Sequence, residues 1–226
     1  MSRAVAILPA RGGSKRIPRK NIKDFNGRPA IGWPIAAALA SGLYERVVVT
    51  TDDAEIAQVA EGLGAEAPFL RDAGLSDDHA GTTEVVRDAV TRLALGPDVA
   101  VCCIYPTALF ITPDDLAEGY QRLAAGADWV LSVGEYPTPI DRAYKMEGEK
   151  LVPRQPEMMP KRSQDLAPAY FDAGQFYWAK AKRWLDPAAY VWDGAAGVVL
   201  PPERAVDIDT PEDWARAERL AALRGL

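Results

Sequence analysis

Five apolar residues, Ala4-Val5-Ala6-Ile7-Leu8, run without a polar break into a loop that holds Gly12-Gly13 and a dense set of basic side chains. A strand that is apolar on both sides must be covered on both faces, the condition of an interior strand in a parallel sheet flanked by helices. The following segments keep that rhythm. A small-residue stretch ending near Gly42 reads as a helix and residues 46–50 as a second buried strand; a helix capped by Asp52 or Asp53 runs from there to about Leu63, where Gly64 stops it. A helix over about residues 83–95, an apolar run at 99–105, a capped helix start at Thr112-Pro113-Asp114-Asp115 and a strand at 129–133 continue the pattern. Strands alternating with helices across short links predict an α/β fold: a mostly parallel sheet with helices on both faces, binding ligands at the carboxyl ends of its strands.

The length, 226 residues, suits one domain spanning 1–226. The stretch 136–168 breaks the rhythm, because it holds six of the eighteen prolines and no long periodicity. It reads as an insertion in which Ile140, Tyr144, Met146, Leu151 and Val152 build hairpin arms that pack against a partner subunit. The chain then closes with Val198-Val199-Leu200, the alternating segment Val206-Asp207-Ile208-Asp209, and a second capping box, Thr210-Pro211-Glu212-Asp213, that opens a terminal helix.

Charge is distributed unevenly. Residues 1–28 carry eight basic side chains against Asp24 alone, a local +7, whereas the rest of the chain is −13 and the whole −6. Positive charge concentrated in one loop of an acidic protein points to a local anion site; a nucleic-acid groove needs it spread over a face. The longest uncharged stretch, 29–44, is short and broken by prolines and glycines, so no membrane span is expected, and no signal-type apolar segment precedes the basic loop. A cytoplasmic location follows. The two cysteines, Cys102 and Cys103, are adjacent and point to opposite faces of a strand, a structural use that suits a reducing compartment.

The segment 8–21, LPARGGSKRIPRKN, follows the first strand, where such a sheet places ligand loops. Gly12 and Gly13 would let backbone N–H groups approach an anion, and Arg11, Lys15, Arg16 and Lys20 would neutralise a polyphosphate. The pattern is neither a P-loop nor a dinucleotide fingerprint. In Asp207-x-Asp209 two carboxylates share one side of an extended chain, which the sequence places on a short strand; that spacing suits Mg2+ held together with substrate phosphates. Arg162, Gln164 and Asp165 form a polar cluster in which a bidentate Arg would hold a substrate carboxylate. Asp77-Asp78 read as solvated loop acids, and His79, the sole histidine, as a loop residue, which excludes histidine triads. The aromatic run 170–178 reads as a pocket wall or, for Phe176 and Trp178, as core.

Taken in order, LPARGGSKRIPRKNI, FLRDAGLSDD (69–78), RSQDLAPAYFDAGQFYW (162–178) and DIDTPEDW (207–214) resemble the cytidylyltransferases that activate nine-carbon acidic sugars, the CMP-sialic acid synthetase family, over nearly the whole chain. The SQDL…DAGQFYW version is most like the pseudaminic acid branch; sialic and legionaminic acid enzymes carry an Asn-Gly segment where this chain has Asp172-Ala173-Gly174. The resemblance implies a nucleotidyltransferase sheet of the glycosyltransferase-A-like kind, a dimerisation arm and homodimer, CTP as co-substrate and Mg2+ as metal. It implies that Arg11, Ser14, Lys20 and Asn21 contact the triphosphate and nucleotide, with Gly12 and Gly13 in the same loop, and that Arg71 reads the cytosine. Asp207 and Asp209 would hold the metal, and Arg162 and Gln164 would face the sugar acid. Tyr105-Pro106-Thr107 stands where sialic acid enzymes have Gln-Pro-Thr. The implied reaction is attack of the anomeric hydroxyl on the α-phosphorus of CTP, driven by positioning and by charge neutralisation from Arg11, Lys20 and Mg2+, with metal-bound Asp209 or a metal-activated alkoxide in place of a general base. Within the same chemistry the rivals are a CMP-legionaminic or CMP-N-acetylneuraminic acid synthetase and a 3-deoxy-octulosonate cytidylyltransferase, which the Gly-Gly-Ser-Lys-Arg and Lys-Asn-Ile elements fit poorly; outside it they are a non-catalytic nucleotide-sugar sensor and a basic-loop nucleic-acid binder.

Overall fold

In the computed structural model, which describes residues 4–75 and 81–225, the apolar runs assemble into one six-stranded sheet. Its strands are β1 (Ala4–Pro9), β4 (Tyr44–Thr50), β5 (Ala100–Ile104), β6 (Trp129–Glu135), β9 (Tyr170–Lys180) and β10 (Ala195–Leu200), in the order β10-β6-β9-β5-β1-β4. Two small hairpins lie outside it, β2 (Asp24–Phe25) with β3 (Arg28–Pro29), and β7 (Tyr144–Glu147) with β8 (Lys150–Pro153). β1 runs parallel to β4 and β5, and β10 to β6, while β9 is antiparallel to both its neighbours. The sheet is mostly parallel, as the sequence predicts, with one antiparallel strand in its interior. Asp77, Asp78 and His79 lie outside the described residues.

Alternation along β1 divides the core. Ala4, Ala6 and Leu8 pack with residues of helices α1 (Gly32–Ser41), α2 (Ala54–Gly62) and α4 (Pro113–Ala124) on one face. Val5 and Ile7 pack with α3 (Thr82–Arg92) and α5 (Ala181–Leu185) on the other. Cys102 and Cys103 are both buried, one in each cluster, as their adjacency in a strand requires. Phe176 and Trp178 are core residues rather than pocket wall.

A third apolar cluster positions the site. Ile17 and Phe25 from the basic loop pack with Leu109 and Phe110, with Val206 and Ile208, and with Trp214 of the terminal helix α6 (Pro211–Arg224). Because Val206 and Ile208 are buried there, Asp207 and Asp209, alternating with them, stay out of that cluster. The short strand expected at 206–209 is instead an extended segment with no ladder partner; it is held by this cluster and by side-chain bonds.

The insertion carries the β7–β8 hairpin, closed by Arg154 N–H donating to Ala143 O at 2.8 Å and joined to the sheet where Tyr136 N–H donates to Ala169 O at 2.9 Å. Ile140, Tyr144, Met146 and Leu151 all stand exposed on it. Among the described residues no helix is long and apolar enough to cross a membrane.

Candidate active site

The register of two strands builds the first half of the site. Pro9 of β1 is level with Thr50 of β4, and Ala10 N–H still donates to Thr50 O at 3.0 Å, so residues 10–12 and 51–53 leave the sheet side by side. Gly12 N–H then donates to Asp52 Oδ1 at 2.9 Å. A Cβ at position 12 would lie 2.6 Å from Asp53 Oδ2. Glycine is therefore required by the close approach of the acidic pair, and the Gly12 N–H is taken by the chain's own Asp52 carboxylate rather than presented to a ligand anion as the sequence suggests. Gly13 meets nothing within 4 Å of its Cβ direction and keeps an open side.

Asp53 is the cap of α2, accepting from Glu55 N and Ile56 N at 2.9 and 3.1 Å. Its carboxylate also pairs with Arg19, which bonds Glu55 at 2.5 Å as well and holds a left-handed backbone at φ 56°. This ion pair staples the far end of the basic loop to the same helix start. Asn21, buried, donates from Nδ2 to Arg11 O at 2.9 Å and accepts from Ile31 N–H at 2.8 Å, which fixes the loop on itself.

The second half comes from the chain's far end. Lys20 Nζ donates to Ile208 O at 2.5 Å and lies 3.5 Å from Asp209 Oδ1, while Arg16 Nη2 lies 2.9 Å from the same oxygen. Burial lowers the Lys20 ammonium's pKa, and Asp209 acts against that. Desolvation, and then the neighbouring Asp209 charge, raise the Asp207 carboxyl above its ordinary value. Two carboxylates that resist sharing negative charge, next to a loop of cations, form a donor set fit for a hard divalent cation. Among the described residues no third His, Cys, Asp or Glu joins them.

Between the halves lies a cavity of about 580 Å³, lined by Arg11, Ser14, Lys15, Arg16, Lys20 and Asn21 on one side. Arg71, Thr82, Tyr105, Thr107 and Asp209 line the others. The Arg71 side chain is 3% exposed and its Nη2 lies 3.9 Å from Asp52 Oδ1, so one carboxylate serves both the Gly12 loop and the cavity's arginine. Tyr105 OH meets Thr82 Oγ1 at 2.9 Å, and burial pushes its pKa up to about 12, which keeps it a neutral hydrogen-bonding group.

The cavity thus gathers Arg11, Ser14, Lys20, Asn21, Arg71 and Asp209 of the residues singled out in the sequence. Its lining does not include Gly12, Gly13, Asp207, Arg162 or Gln164. Arg162 sits in the insertion, 71% exposed, with Nε and Nη2 at 2.7 and 3.1 Å from the two oxygens of Asp165. Its fork is occupied by an intrachain carboxylate, not presented to the cavity. Sequence reasoning missed Asp52, Asp53 and Arg19 as loop anchors, and Thr82 as a cavity residue. The capping signal at 52–53 was legible, but the bond across to Gly12 was not.

Residues 5–180 match the protein family described as Cytidylyltransferase. The chain is 41% identical, over 92% of both sequences, to the pseudaminic acid cytidylyltransferase of Campylobacter jejuni. It is 32% identical to the CMP-N,N'-diacetyllegionaminic acid synthase of Legionella pneumophila, over 98% of this chain and 97% of that one. A solved CMP:2-keto-3-deoxy-manno-octonic acid synthetase complexed with CTP superposes with a TM-score of 0.72 over 99% of this chain and 100% of its own, at 18% identity, and so shares the fold.

Proposed function

Since the chain belongs to the cytidylyltransferase family, we propose that it joins CTP to a nine-carbon 2-keto acidic sugar, pseudaminic acid foremost, releasing the CMP-sugar and pyrophosphate. The observation that carries this reading is the convergence of Arg11, Lys15, Arg16 and Lys20 with Asp209 on one cavity, in a chain 41% identical to a pseudaminic acid enzyme. Four cations suit a triphosphate, and one or two carboxylates suit the divalent cation that accompanies it.

The anomeric hydroxyl oxygen attacks the α-phosphorus and gives up its proton to solvent, the bond from that phosphorus to the bridging oxygen breaks, and pyrophosphate leaves in line. Arg11, Lys15, Arg16 and Lys20 offset the charge of the triphosphate and of the departing pyrophosphate. Arg71, nearly buried and steadied by Asp52, is suited to the cytosine, because a guanidinium fork offers fixed donors to a planar acceptor edge. Ser14 and Asn21 border the nucleotide, and Gly13 lets the chain come close. CTP-using cytidylyltransferases generally take a divalent metal; Mg2+, held by Asp207 and Asp209, would neutralise phosphate charge and orient the oxygens. Arg16 and Lys20, now on Asp209, would turn to the phosphates once a cation takes that carboxylate.

The exposed apolar hairpin supports a homodimer, and Arg162 and Gln164, carried on the same insertion, would meet the sugar acid only if the arm moves or a second subunit presents it. A cytoplasmic location, where CTP is made and used, fits the two free cysteines. The test is pyrophosphate release with CTP and Mg2+ across pseudaminic, legionaminic and N-acetylneuraminic acids, with Asp209→Ala as the blank. Release with pseudaminic acid alone is expected. Release with another acid keeps the chemistry and overturns the sugar assignment, and silence with all three favours a nucleotide-sugar sensor.

A further inference from the structure

The carboxylate segment at 206–209 lacks a ladder partner, so something outside the backbone has to fix where Asp207 points. Gln175 does this from the sheet. It is 1% exposed, and its Nε2 donates at 2.8 Å both to Ala173 O within β9 and to Val206 O, the carbonyl just before Asp207. Its own backbone is anchored twice, by N–H to Ser132 Oγ at 3.1 Å and by the carbonyl, which accepts from Tyr105 N–H at 2.9 Å. Between the two carbonyls lies Gly174, at φ +60°, where a Cβ would sit 3.4 Å from Asp207 Cγ. The Asp207 carboxylate thus faces the Gly174 backbone across a gap that a methyl group would fill. On the other side of the segment Lys20 takes Ile208 O.

From this arrangement we propose that Gln175 is a positioning residue for the divalent cation site: its amide sets the Asp207 carboxylate at the place where metal and triphosphate meet. The proposal rests on the reading of Asp207 and Asp209 as metal-holding residues. Gln175 touches neither substrate nor cation. It acts through the peptide that carries Asp207, and Lys20 secures the opposite end of the same segment. A buried polar side chain that bonds two backbone segments is also a structural brace, so the decisive readout is one a brace alone does not change.

That readout is the gain in CTP affinity that Mg2+ produces, measured by calorimetry without sugar, with the CTP affinity in EDTA as reference. Gln175→Met removes the donor at similar volume. Gln175→Glu keeps the shape and turns an acceptor toward Val206 O, and it provides the measurement should the Met variant not fold. The expected result is about a tenfold or greater loss of the Mg2+-dependent gain, the scale seen when a partner that orients a metal ligand is removed, with the EDTA affinity unchanged. Equal loss in EDTA and in Mg2+, or no loss in either, overturns the proposal. Asp207→Asn is the control: if it retains the full Mg2+ gain, the metal assignment itself is wrong, whereas its loss with an intact gain in the Gln175 variants removes Gln175 alone.

Discussion

Lys20 Nζ sits 2.5 Å from the carbonyl oxygen of Ile208, a bond that spans 188 positions of sequence and closes the cavity between the chain's first loop and its last loop. The ammonium thereby stands beside Asp209, 3.5 Å away, and on the wall of the cavity. Lys20→Met keeps the length and removes the charge. The expected effect is a fall in kcat on the order of a hundredfold, as for loss of one preorganised donor to developing negative charge, with a smaller rise in KM for CTP. Steady-state kinetics decide, and normal kcat removes Lys20 from the reaction.

Gly12 has no room for a side chain. A methyl group there would fall 2.6 Å from Asp53 Oδ2 and would press on the carboxylate that caps α2 and pairs with Arg19. Gly12→Ala should cost about 1–3 kcal/mol by urea unfolding, the usual scale for overpacking, and should weaken CTP binding because the loop and α2 move together. An unchanged unfolding midpoint would show that the loop is not packed against Asp53.

The same carboxylate gives the loop a defined acid sensitivity. The hydrogen bond from Arg19 is the main cause holding Asp53 below its ordinary pKa of 3.8. A group whose folded pKa is depressed stabilises above its unfolded value, and that contribution is lost as pH falls through the lower folded value. Asp53→Asn still caps a helix but carries no charge. It should therefore be less stable than the native protein near neutral pH, with the gap closing below pH 3.8. A gap that stays constant with pH would mean that the Arg19 pair contributes nothing.

What the sequence revealed and what it concealed divide along physical lines. β1, β4 and β5 were legible because strands covered on both faces leave unbroken apolar runs. The caps at Asp53, Thr112 and Thr210 were legible because capping is local. β9 was legible only in part: Phe176 and Trp178 read as core, as they are, but Gly174 takes φ +60° within the strand and the pairing with β6 shifts register between Leu131 and Val133, so its extent was hidden. The bonds from Gly12 N–H to Asp52 and from Gln175 to Val206 join residues 40 and 31 positions apart, which no local pattern encodes. Arg162 was ambiguous for a related reason: its partner Asp165, three residues away, was visible, but the choice between that carboxylate and a substrate's is made by the arm's placement.

Burial predicts silent cysteines. Cys102 and Cys103 are both fully enclosed, and burial pushes both thiols well above their ordinary range, so little thiolate forms near neutral pH. The folded enzyme should ignore a thiol reagent such as iodoacetamide and keep full activity, whereas unfolding in urea should expose two reactive groups, countable by mass. Rapid labelling of the native enzyme would indicate that β5 opens.

The hairpin arm gives the last prediction. Met146 and Leu151, opposite each other in the β7–β8 register, are 63% and 65% exposed, and Tyr144 and Ile140 are exposed on the same insertion. Side chains this open contribute little to the fold of one subunit, so a charge placed on them should be tolerated by the monomer. A stable dimer needs roughly 800 Å² buried on each partner, and a charge near the middle of such a surface is costly to desolvate. Leu151→Glu should therefore leave the circular dichroism spectrum and the unfolding midpoint of the isolated subunit unchanged while shifting sedimentation from dimer to monomer. If the sugar acid is met by Arg162 or Gln164 from a second arm, the same substitution should raise KM for the sugar far more than KM for CTP. Dimeric sedimentation with Leu151→Glu would place the subunit contact elsewhere, and a monomer with native KM for the sugar would free the sugar site from the arm.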